Sequence, residues 1–400
     1  MTSRTTTEMV DGKERYRKIP CPTIPAFPVL SGAGLFSVSR TGIPSLFQSR
    51  SLRYFTAGRY AIYQALKESG VRENDEILVP AYHCEAMIHP VLDAGCIPVF
   101  YKISKDFSVD INDMEGLITD KTKMIIAVNY FGFGQNIHDV RKICDQNNLK
   151  LIEDCAHSLF GSSNNVTVGQ TGDYAIGSTK KFFPVFDGGI LACNNGILSA
   201  SESGRYTIKS EIRFIYNTIE RSLEHGRLWI FSPLISLIEK LRHKDKTGEE
   251  TPADEKSVEY SPENRTQRPA RISMLLEKYV SHHRIFVKRR ENYKFLVNGL
   301  KENQYITLPL KEIPPGTVPY MLPVIIENLE KIFPDIEDAA IPFQRFGQFL
   351  WQGSERCPVS QRYAKTIIQI PCHQELSKAE LQWIIDEMEK ILEVGGKNDN

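Results

Sequence analysis

The chain has 400 residues, of which 41% are hydrophobic, and this length favours a large domain with a smaller second one. Basic and acidic residues both number 49, so the overall charge favours neither nucleic acid nor an anionic membrane as a partner. Residues 1–18 lack the apolar stretch of a signal peptide and no apolar run is long enough to cross a membrane, so we expect a cytoplasmic protein. The eight cysteines include no Cys-x-x-Cys pair, which argues against a zinc site or a disulfide scaffold.

The first fifty residues are rich in proline, glycine and serine. Pro20, Pro22, Pro25 and Pro28 exclude a long helix there, because proline lacks the amide hydrogen that a helix interior needs. Residues 1–50 are therefore predicted to form an arm that packs on the body of the protein.

Short β-prone runs alternate with helical patterns in the next part of the chain. This alternation is typical of a mostly parallel sheet covered by helices, and it predicts a large α/β domain over residues 51–242. The predicted strands are Glu76–Val79, Ile97–Ile103, Met124–Tyr130, Leu149–Ile152, Asp173–Ile176 and Gly189–Cys193, and the predicted helices are Arg59–Ser69, Glu85–Ala94 and Asn136–Asn147.

Two further segments follow the last of these strands. Ser199–Leu241 is predicted to be helical, and the amphipathic stripe of Leu228–Leu241 is expected to pack on its own domain or on a partner subunit. Pro233 interrupts the stripe, which disfavours a helix lying on a membrane surface. Residues 243–269 are polar and have no apolar period, so a mobile surface loop or a linker between domains is expected.

The last part of the chain, residues 270–400, is predicted to form a smaller α+β domain. A helical pattern runs from Arg271 to about Asn298, and Tyr320–Ile326 is a β-prone run. A final helix is predicted to begin at Ser377, whose spacing from Glu380 matches a capping box.

An acidic residue stands at the end of a predicted strand in Leu151–Ser158, whose sequence is LIEDCAHS. Ligands of open α/β sheets bind at the carboxyl ends of the strands, where Asp154 would lie. A carboxylate at such a place can pair with a pyridine nitrogen, keeping the ring protonated so that it withdraws electrons. The alternative is that Asp154 only caps the helix that follows.

A second informative segment is Gly172–Gly189, GDYAIGSTKKFFPVFDGG, in which Ser178, Lys180 and Lys181 follow a predicted strand. A lysine there can form an imine with the aldehyde of pyridoxal phosphate and can later carry a proton between substrate and cofactor. Ser178 could reach the cofactor phosphate with its hydroxyl, or could only form a turn. One lysine suffices, so the other is expected to be a solvated surface charge.

Rival nucleotide-binding motifs are incomplete in this chain. Gly132 and Gly134 lack the third glycine of the dinucleotide-binding fingerprint, which argues against an oxidoreductase of that type. A Walker loop and a His-Glu-x-x-His metal motif are also absent from the sequence.

Several motifs occur in a fixed order: GRYAIYQAL, VPAYHCEA, GCIPVFYKI, AVNYFGFGQNI, LIEDCAHSLFG and a lysine followed by a DGG turn. They span roughly residues 56–195, with fainter matches at Arg271–Ser273 and near the C-terminus. This order resembles the DegT/DnrJ/EryC1/StrS family of pyridoxal-phosphate-dependent sugar aminotransferases. The resemblance implies the aspartate aminotransferase-like fold type I, with a mixed, mostly parallel sheet, and a homodimer whose sites lie between subunits.

The resemblance also assigns roles by position. Asp154 matches the acid that faces the pyridine nitrogen, and His157 matches a polar residue beside the ring. Lys181 stands six residues before the acid of the closing turn, which is the spacing of the family's lysine. Lys180 remains the alternative, since some members have one more residue in that interval. Ser178 matches the phosphate-binding serine only by analogy with the broader fold.

Gly58, Arg59 and Tyr60 lead into a predicted helix, whose first amide groups and dipole suit a phosphate. Arg59 could add a charge-assisted contact. The family usually has a threonine and a small residue in place of Arg59 and Tyr60, so the contacts that the resemblance implies here are those of the backbone.

Two further positions depart from the family pattern. Cys84 stands where many members have an aromatic residue that stacks on the cofactor ring, so the stack could instead come from Tyr82 or His83. Pro269 leaves no clear match for the asparagine that many members contribute across the dimer.

The resemblance implies transfer of an amino group from an amino acid, glutamate in most members, to a keto sugar attached to a nucleotide, in polysaccharide or lipopolysaccharide biosynthesis. Two alternatives remain open. One is a sugar dehydratase or isomerase on the same cofactor, although related dehydratases have histidine in place of the lysine. The other is a non-catalytic relative that acts as a regulatory or scaffolding protein. The sugar, the nucleotide, the carbon position and the stereochemistry are not predicted.

Overall fold

The computed structural model describes residues 3–10, 13–36, 42–200, 204–233 and 260–397. The strands in these residues are β1 (Ser3–Val10), β2 (Lys13–Pro20), β3 (Ser51–Phe55), β4 (Glu76–Pro80), β5 (Ile97–Tyr101), β6 (Thr122–Val128), β7 (Lys150–Cys155), β8 (Ser162–Ser163), β9 (Val166–Thr167), β10 (Tyr174–Ser178), β11 (Gly189–Cys193), β12 (Met321–Ile325) and β13 (Ile367–Pro371).

The α-helices in the same residues cover the sheet and build most of the C-terminal region. They are α1 (Gly32–Phe36), α2 (Gly58–Glu68), α3 (Glu85–Asp93), α4 (Ile111–Glu115), α5 (Ile137–Gln146), α6 (Ile208–Glu224), α7 (Arg271–Tyr279), α8 (His282–Leu300), α9 (Leu329–Asp338), α10 (Pro358–Thr366) and α11 (Lys378–Lys397).

A seven-stranded sheet occupies the centre of the large α/β region, with strand order β3-β11-β10-β7-β6-β4-β5. All its strands run in one direction except β11, which is antiparallel to both β10 and β3. Every residue of β10 and β11 is buried, as expected for strands covered on both faces. The six predicted strands are all present, and β3 is an additional strand at the sheet edge.

The N-terminal residues begin with a hairpin in which β1 and β2 pair antiparallel, and these strands were not predicted. The chain then runs along the body of the protein. The Leu30 amide donates a hydrogen bond to the Ser222 hydroxyl at 3.0 Å, and the Pro25 carbonyl accepts one from His373 Nε2 at 2.9 Å. The second half of the predicted arm therefore contacts both α6 and the segment that precedes α11.

The segments that flank residues 234–259 differ from expectation. Helix α6 ends at Glu224, and Leu228 adopts a left-handed conformation with φ 52°, so Ser199–Leu241 is not one continuous helix. Residues 234–259, which include most of the predicted amphipathic stripe and linker, lie outside the described residues. Beyond them, Gln267 accepts a hydrogen bond from the Thr56 amide at 3.2 Å, so this end of the predicted linker packs on the large domain.

The C-terminal region combines helices with the antiparallel pair β12–β13. The helical pattern predicted from Arg271 to about Asn298 forms two helices, α7 and α8, because Val280 is extended and the Ser281 side chain accepts a hydrogen bond from the Arg284 amide. The capping box predicted at the last helix is present: the Ser377 amide donates to Glu380 at 2.7 Å and the Glu380 amide donates to Ser377 at 3.2 Å. No helix in the described residues is both long and apolar enough to span a membrane.

Candidate cofactor site

The predicted site residues come together at one edge of the central sheet, where parallel strands end side by side. Asp154 is the penultimate residue of β7, and Ser178 is the last residue of β10. These strands are neighbours in parallel register, with Gly177 paired to Cys155. A single turn of 3-10 helix over Thr179–Lys181 follows β10 directly, so the lysines emerge at the edge that carries Asp154.

Asp154 is buried at the end of its strand, and its Oδ1 atom accepts a hydrogen bond from the Ala156 amide at 2.8 Å. Burial raises the pKa of its carboxyl group, while the Ala156 amide and the positive charge of Lys181 oppose that rise. The bond to Ala156 closes a tight turn, and the chain continues into that turn rather than into a helix. Asp154 therefore does not cap a following helix, and a cationic ligand would stabilise its ionised form.

Lys181 is partly buried and belongs to the same electrostatic group. Burial lowers the pKa of its amine, whereas the charges of Cys84 and Asp154 raise it. Its Nζ atom lies 5.4 Å from the centre of the Tyr320 ring. Lys180 precedes it in a helix with three residues per turn, so the two lysine side chains leave the turn about 120° apart.

His157 is buried among aromatic rings near Lys181. The Tyr320 and Phe131 rings both lie roughly parallel to the imidazole, at 4.7 Å and 5.9 Å between centroids. The Phe131 amide also donates a hydrogen bond to Nδ1 at 3.4 Å. Burial, and then the charge of Lys181, hold the pKa of His157 well below its usual value. His157 is therefore neutral at neutral pH.

The start of α2 lies at the same sheet edge. Its N-cap residue, Ala57, has no side-chain hydrogen bond to offer, so the first amides of the helix are not capped by a side chain. A methyl group added at Gly58 would lie 3.3 Å from the Gly177 carbonyl oxygen, which shows how closely the helix approaches the end of β10. The position of Ser178, one residue further along β10, brings it to this helix start.

The three residues at the start of α2 have different surroundings. The Tyr60 amide donates to the Ala57 carbonyl at 3.1 Å, and its buried side chain accepts a hydrogen bond from the Ser261 amide at 3.3 Å. Tyr60 thus directs its polar groups to the protein. The charge of Arg59 acts on the thiol of Cys84, which places this arginine near the site. The first amides of α2, at Gly58 and Arg59, are the groups at this helix start that could bind an anion.

Cys84 lies at the N-cap of α3 and is partly exposed. Burial raises the pKa of its thiol, and the charges of Lys181, Asp154 and Arg59 all act on it, so Cys84 belongs to the site. The two alternatives for the stacking residue are occupied elsewhere. Tyr82 donates to the Phe346 carbonyl at 2.9 Å, and His83 accepts a hydrogen bond from the Trp351 amide at 3.1 Å.

Two residues of the site region were missed by the sequence analysis. Tyr320 lies close to both the Lys181 amine and the His157 ring, and Arg289 on α8 donates a hydrogen bond to the Lys181 carbonyl at 2.8 Å. Tyr320 carried a weak signal, since it begins a predicted strand. Nothing near Arg289 in the sequence indicated this contact, because it joins residues more than one hundred positions apart.

The chemistry of this residue set fits pyridoxal phosphate. The compound presents an aldehyde, a basic ring nitrogen and a phosphate, and the site offers an amine, a buried carboxylate and an uncapped helix start on one sheet edge. Lys181, Asp154 and Gly58 would be the respective partners. In the described residues no cluster of three or more His, Cys, Asp or Glu side chains could hold a metal ion.

Solved structures share this fold. A putative sugar aminotransferase from Streptococcus pneumoniae, in its pyridoxal-phosphate form, superposes with a TM-score of 0.65 at 17% identity over 94% of this chain and 98% of that one. PseC from Helicobacter pylori, an aminotransferase of pseudoaminic acid biosynthesis, superposes with a TM-score of 0.63 at 18% identity over 86% of this chain and 88% of that one. The architecture is fold type I of the pyridoxal-phosphate-dependent transferases, as predicted.

Sequence comparison finds a family match over part of the chain. Residues 54–203 match the model of the DegT/DnrJ/EryC1/StrS aminotransferase family, which confirms the predicted resemblance over this segment. GDP-perosamine synthase from Vibrio cholerae is 32% identical over 147 residues, 35% of this chain and 39% of the relative. The pleiotropic regulatory protein of Geobacillus stearothermophilus is 32% identical over 146 residues, 36% and 39% of the two chains. The chain thus matches about two fifths of the length of these curated relatives.

Proposed function

We propose that the protein is a pyridoxal-phosphate-dependent aminotransferase that moves an amino group from an amino acid, glutamate by family resemblance, to a keto sugar nucleotide. The observation that carries this proposal is the grouping of the Lys181 amine with the buried Asp154 carboxylate at the carboxyl edge of a fold type I sheet. Relatives named for sugar nucleotides, among them GDP-perosamine synthase, support the substrate class. The lysine itself favours transamination over the dehydratase alternative.

The bound cofactor would accept the electron pair that remains on the α-carbon of the amino acid when a proton leaves it. Asp154 would keep the pyridine nitrogen protonated by accepting its hydrogen bond. Burial lowers the pKa of the Lys181 amine. This amine would take the proton from the α-carbon of the amino acid and deliver it to the cofactor. Gly58 and Arg59 would hold the phosphate. The neutral His157 would lie beside the cofactor ring.

A homodimer is the proposed assembly, and an apolar face on two neighbouring helices supports it. Ile208, Ile212 and Ile215 recur on one side of α6, and Leu275 and Tyr279 belong to α7; all five are exposed. The two helices are adjacent, since the amide that begins α7 donates to a glutamate of α6. Exposed apolar clusters of this kind commonly mark protein interfaces.

The cytoplasm is the proposed location of the protein. All eight cysteines lie in the described residues and none forms a disulfide, as is usual in a reducing compartment.

The proposal is tested by trapping the cofactor on its lysine. Borohydride reduction of protein saturated with pyridoxal phosphate, followed by peptide mapping, should label Lys181 and not Lys180. Lys181→Ala should lose the label and all turnover, and Lys180→Ala is the matched control that should keep both. Adding glutamate to the loaded protein should convert its spectrum to that of the pyridoxamine form. Folded protein that gains no visible absorbance with the cofactor would instead support a non-catalytic role.

A further inference from the structure

Arg289 is a fully buried charged residue on α8, next to the turn that carries Lys181. Its guanidinium donates hydrogen bonds to the carbonyls of Lys181 at 2.8 Å and Tyr320 at 2.9 Å. It also donates to the Pro319 carbonyl at 3.3 Å and to the Gln374 side chain at 3.1 Å. One side chain therefore joins two stretches of backbone that border the site.

These acceptors are all neutral oxygens, which makes the burial of Arg289 costly. Desolvation lowers its pKa to about 10, so the side chain still carries its charge at neutral pH. The Phe182 ring lies 4.4 Å from the guanidinium carbon and provides a cation–π contact. An apolar side chain of similar volume could fill the space without the desolvation penalty, so filling space does not account for an arginine here.

The backbone groups that Arg289 binds belong to the residues that surround the amine. The Lys181 amine lies 5.4 Å from the Tyr320 ring, which in turn stacks on His157. Gln374 adds a second connection, because its side-chain amide donates to the Phe182 carbonyl at 2.8 Å. Residues 179–182 form the turn that carries the lysine, called here the lysine turn. The carbonyls of two consecutive residues in it, Lys181 and Phe182, are thus both bound by side chains from the C-terminal region.

We propose that Arg289 is a positioning residue: it fixes the backbone of Lys181 relative to Tyr320, so that the lysine amine stays near Asp154. Five fixed donors in one plane suit this role, since a lysine ammonium could not reach several carbonyls in the same geometry. The inference rests on the proposed cofactor-binding role of Lys181, but the position of the amine can be measured without cofactor.

The test measures how readily the Lys181 amine reacts in cofactor-free protein. Reductive methylation over a range of pH, read by peptide mass spectrometry, gives its reactivity and pKa, with exposed Lys294 on α8 as the internal reference. Arg289→Met should raise the labelling rate of Lys181 about tenfold and raise its pKa, because a turn that has lost charged hydrogen bonds releases the amine to solvent. Pyridoxal phosphate should then bind about tenfold more weakly.

The matched control is Arg284→Met on the same helix. Arg284 pairs with Glu375 rather than with the turn that carries Lys181, so this variant should label Lys181 as the wild-type protein does. If Arg289→Met does not fold, the same labelling experiment is done on Arg289→Lys. This variant keeps the charge and should still expose the Lys181 amine. Wild-type labelling of Lys181 in a folded Arg289 variant would overturn the proposal. A wild-type protein that binds no pyridoxal phosphate would refute the proposed function instead, while the labelling result would still stand.

Discussion

At the scale of single residues, Asp154 is the group whose charge the proposed chemistry needs most. Asp154→Asn keeps the shape and the hydrogen bond from Ala156 but removes the charge that would hold the pyridine nitrogen protonated. Turnover should fall on the order of 100-fold or more, as it does when a preorganised charge is lost from other active sites.

Steady-state kinetics and a cofactor titration separate the two consequences of this change. The amino-acid half-reaction should slow while pyridoxal phosphate still binds, and Asp154→Glu should recover part of the rate. An Asp154→Asn enzyme with unchanged turnover would show that the carboxylate has no electronic role.

A second residue-scale prediction concerns Glu277, which is buried on α7 close to Thr179 and Asp187. Burial, and then the nearby charge of Asp187, raise the pKa of this carboxyl from 4.5 to about 8. The folded protein therefore holds a proton that the unfolded chain releases between those pH values. The free energy of unfolding should fall as pH rises across this window, by at most about 1.4 kcal/mol per pH unit from this group.

Glu277→Gln removes that dependence, because an amide cannot ionise. Urea unfolding at pH 5, 6, 7 and 8 should give a flatter profile for the variant, which should also be more stable than the wild-type protein near pH 8. Glu302→Gln, at an exposed position, controls for the loss of a carboxyl group. Parallel profiles for Glu277→Gln and the wild-type protein would contradict the prediction.

The sequence was informative about residues whose role depends on local pattern. Asp154 and Lys181 each follow an apolar strand, and a parallel sheet brings the ends of neighbouring strands together, so their approach could be inferred. Tyr320 and Arg289 could not be found in this way, because their roles arise from contacts between distant parts of the chain. The stacking of Tyr320 on His157 depends on how β12 approaches the sheet, which no local spacing encodes.

At the scale of elements, the close contact between α8 and α11 can be tested at one glycine. A methyl group added at Gly299 would overlap the Cδ1 atom of Ile385 on α11. Gly299→Ala should therefore destabilise the protein by about 1–3 kcal/mol in urea unfolding, despite the better helix propensity of alanine.

The control for this prediction is Ile385→Val, which removes the Cδ1 atom. In that background the cost of Gly299→Ala should be clearly smaller, because space has been made for the new methyl group. Equal costs in both backgrounds would show that the destabilisation does not come from this contact.

Element boundaries were predicted less well than element types. The break between α7 and α8 was missed, because Ser281 caps the second helix while the apolar spacing continues across it. The hairpin β1–β2 was missed because the prolines and glycines of the first fifty residues dominated the interpretation, although Thr5, Thr6 and Thr7 favour a strand.

At the scale of the whole molecule, the exposed face of α6 and α7 predicts association. Ile212→Asp places a charge in the middle of that face, where the native side chain is 62% exposed. The variant should remain folded but shift towards monomer in sedimentation equilibrium, since a charge buried in an interface is costly. Val394→Asp, an equally exposed change on α11, is the matched control. A dimer as stable as that of the wild-type protein would remove this face from consideration.

The hydrogen bonds that hold the lysine turn also affect the order in which the protein can mature. The carbonyls of Lys181 and Phe182 are held by Arg289 and Gln374, which are synthesised long after the strands around them. A nascent chain could complete the central sheet while its lysine turn still lacked these anchors. We therefore expect vitamin B6 to be captured only late in biosynthesis, once Gln374 has left the ribosome, so that ribosome-bound chains ending before that residue stay colourless.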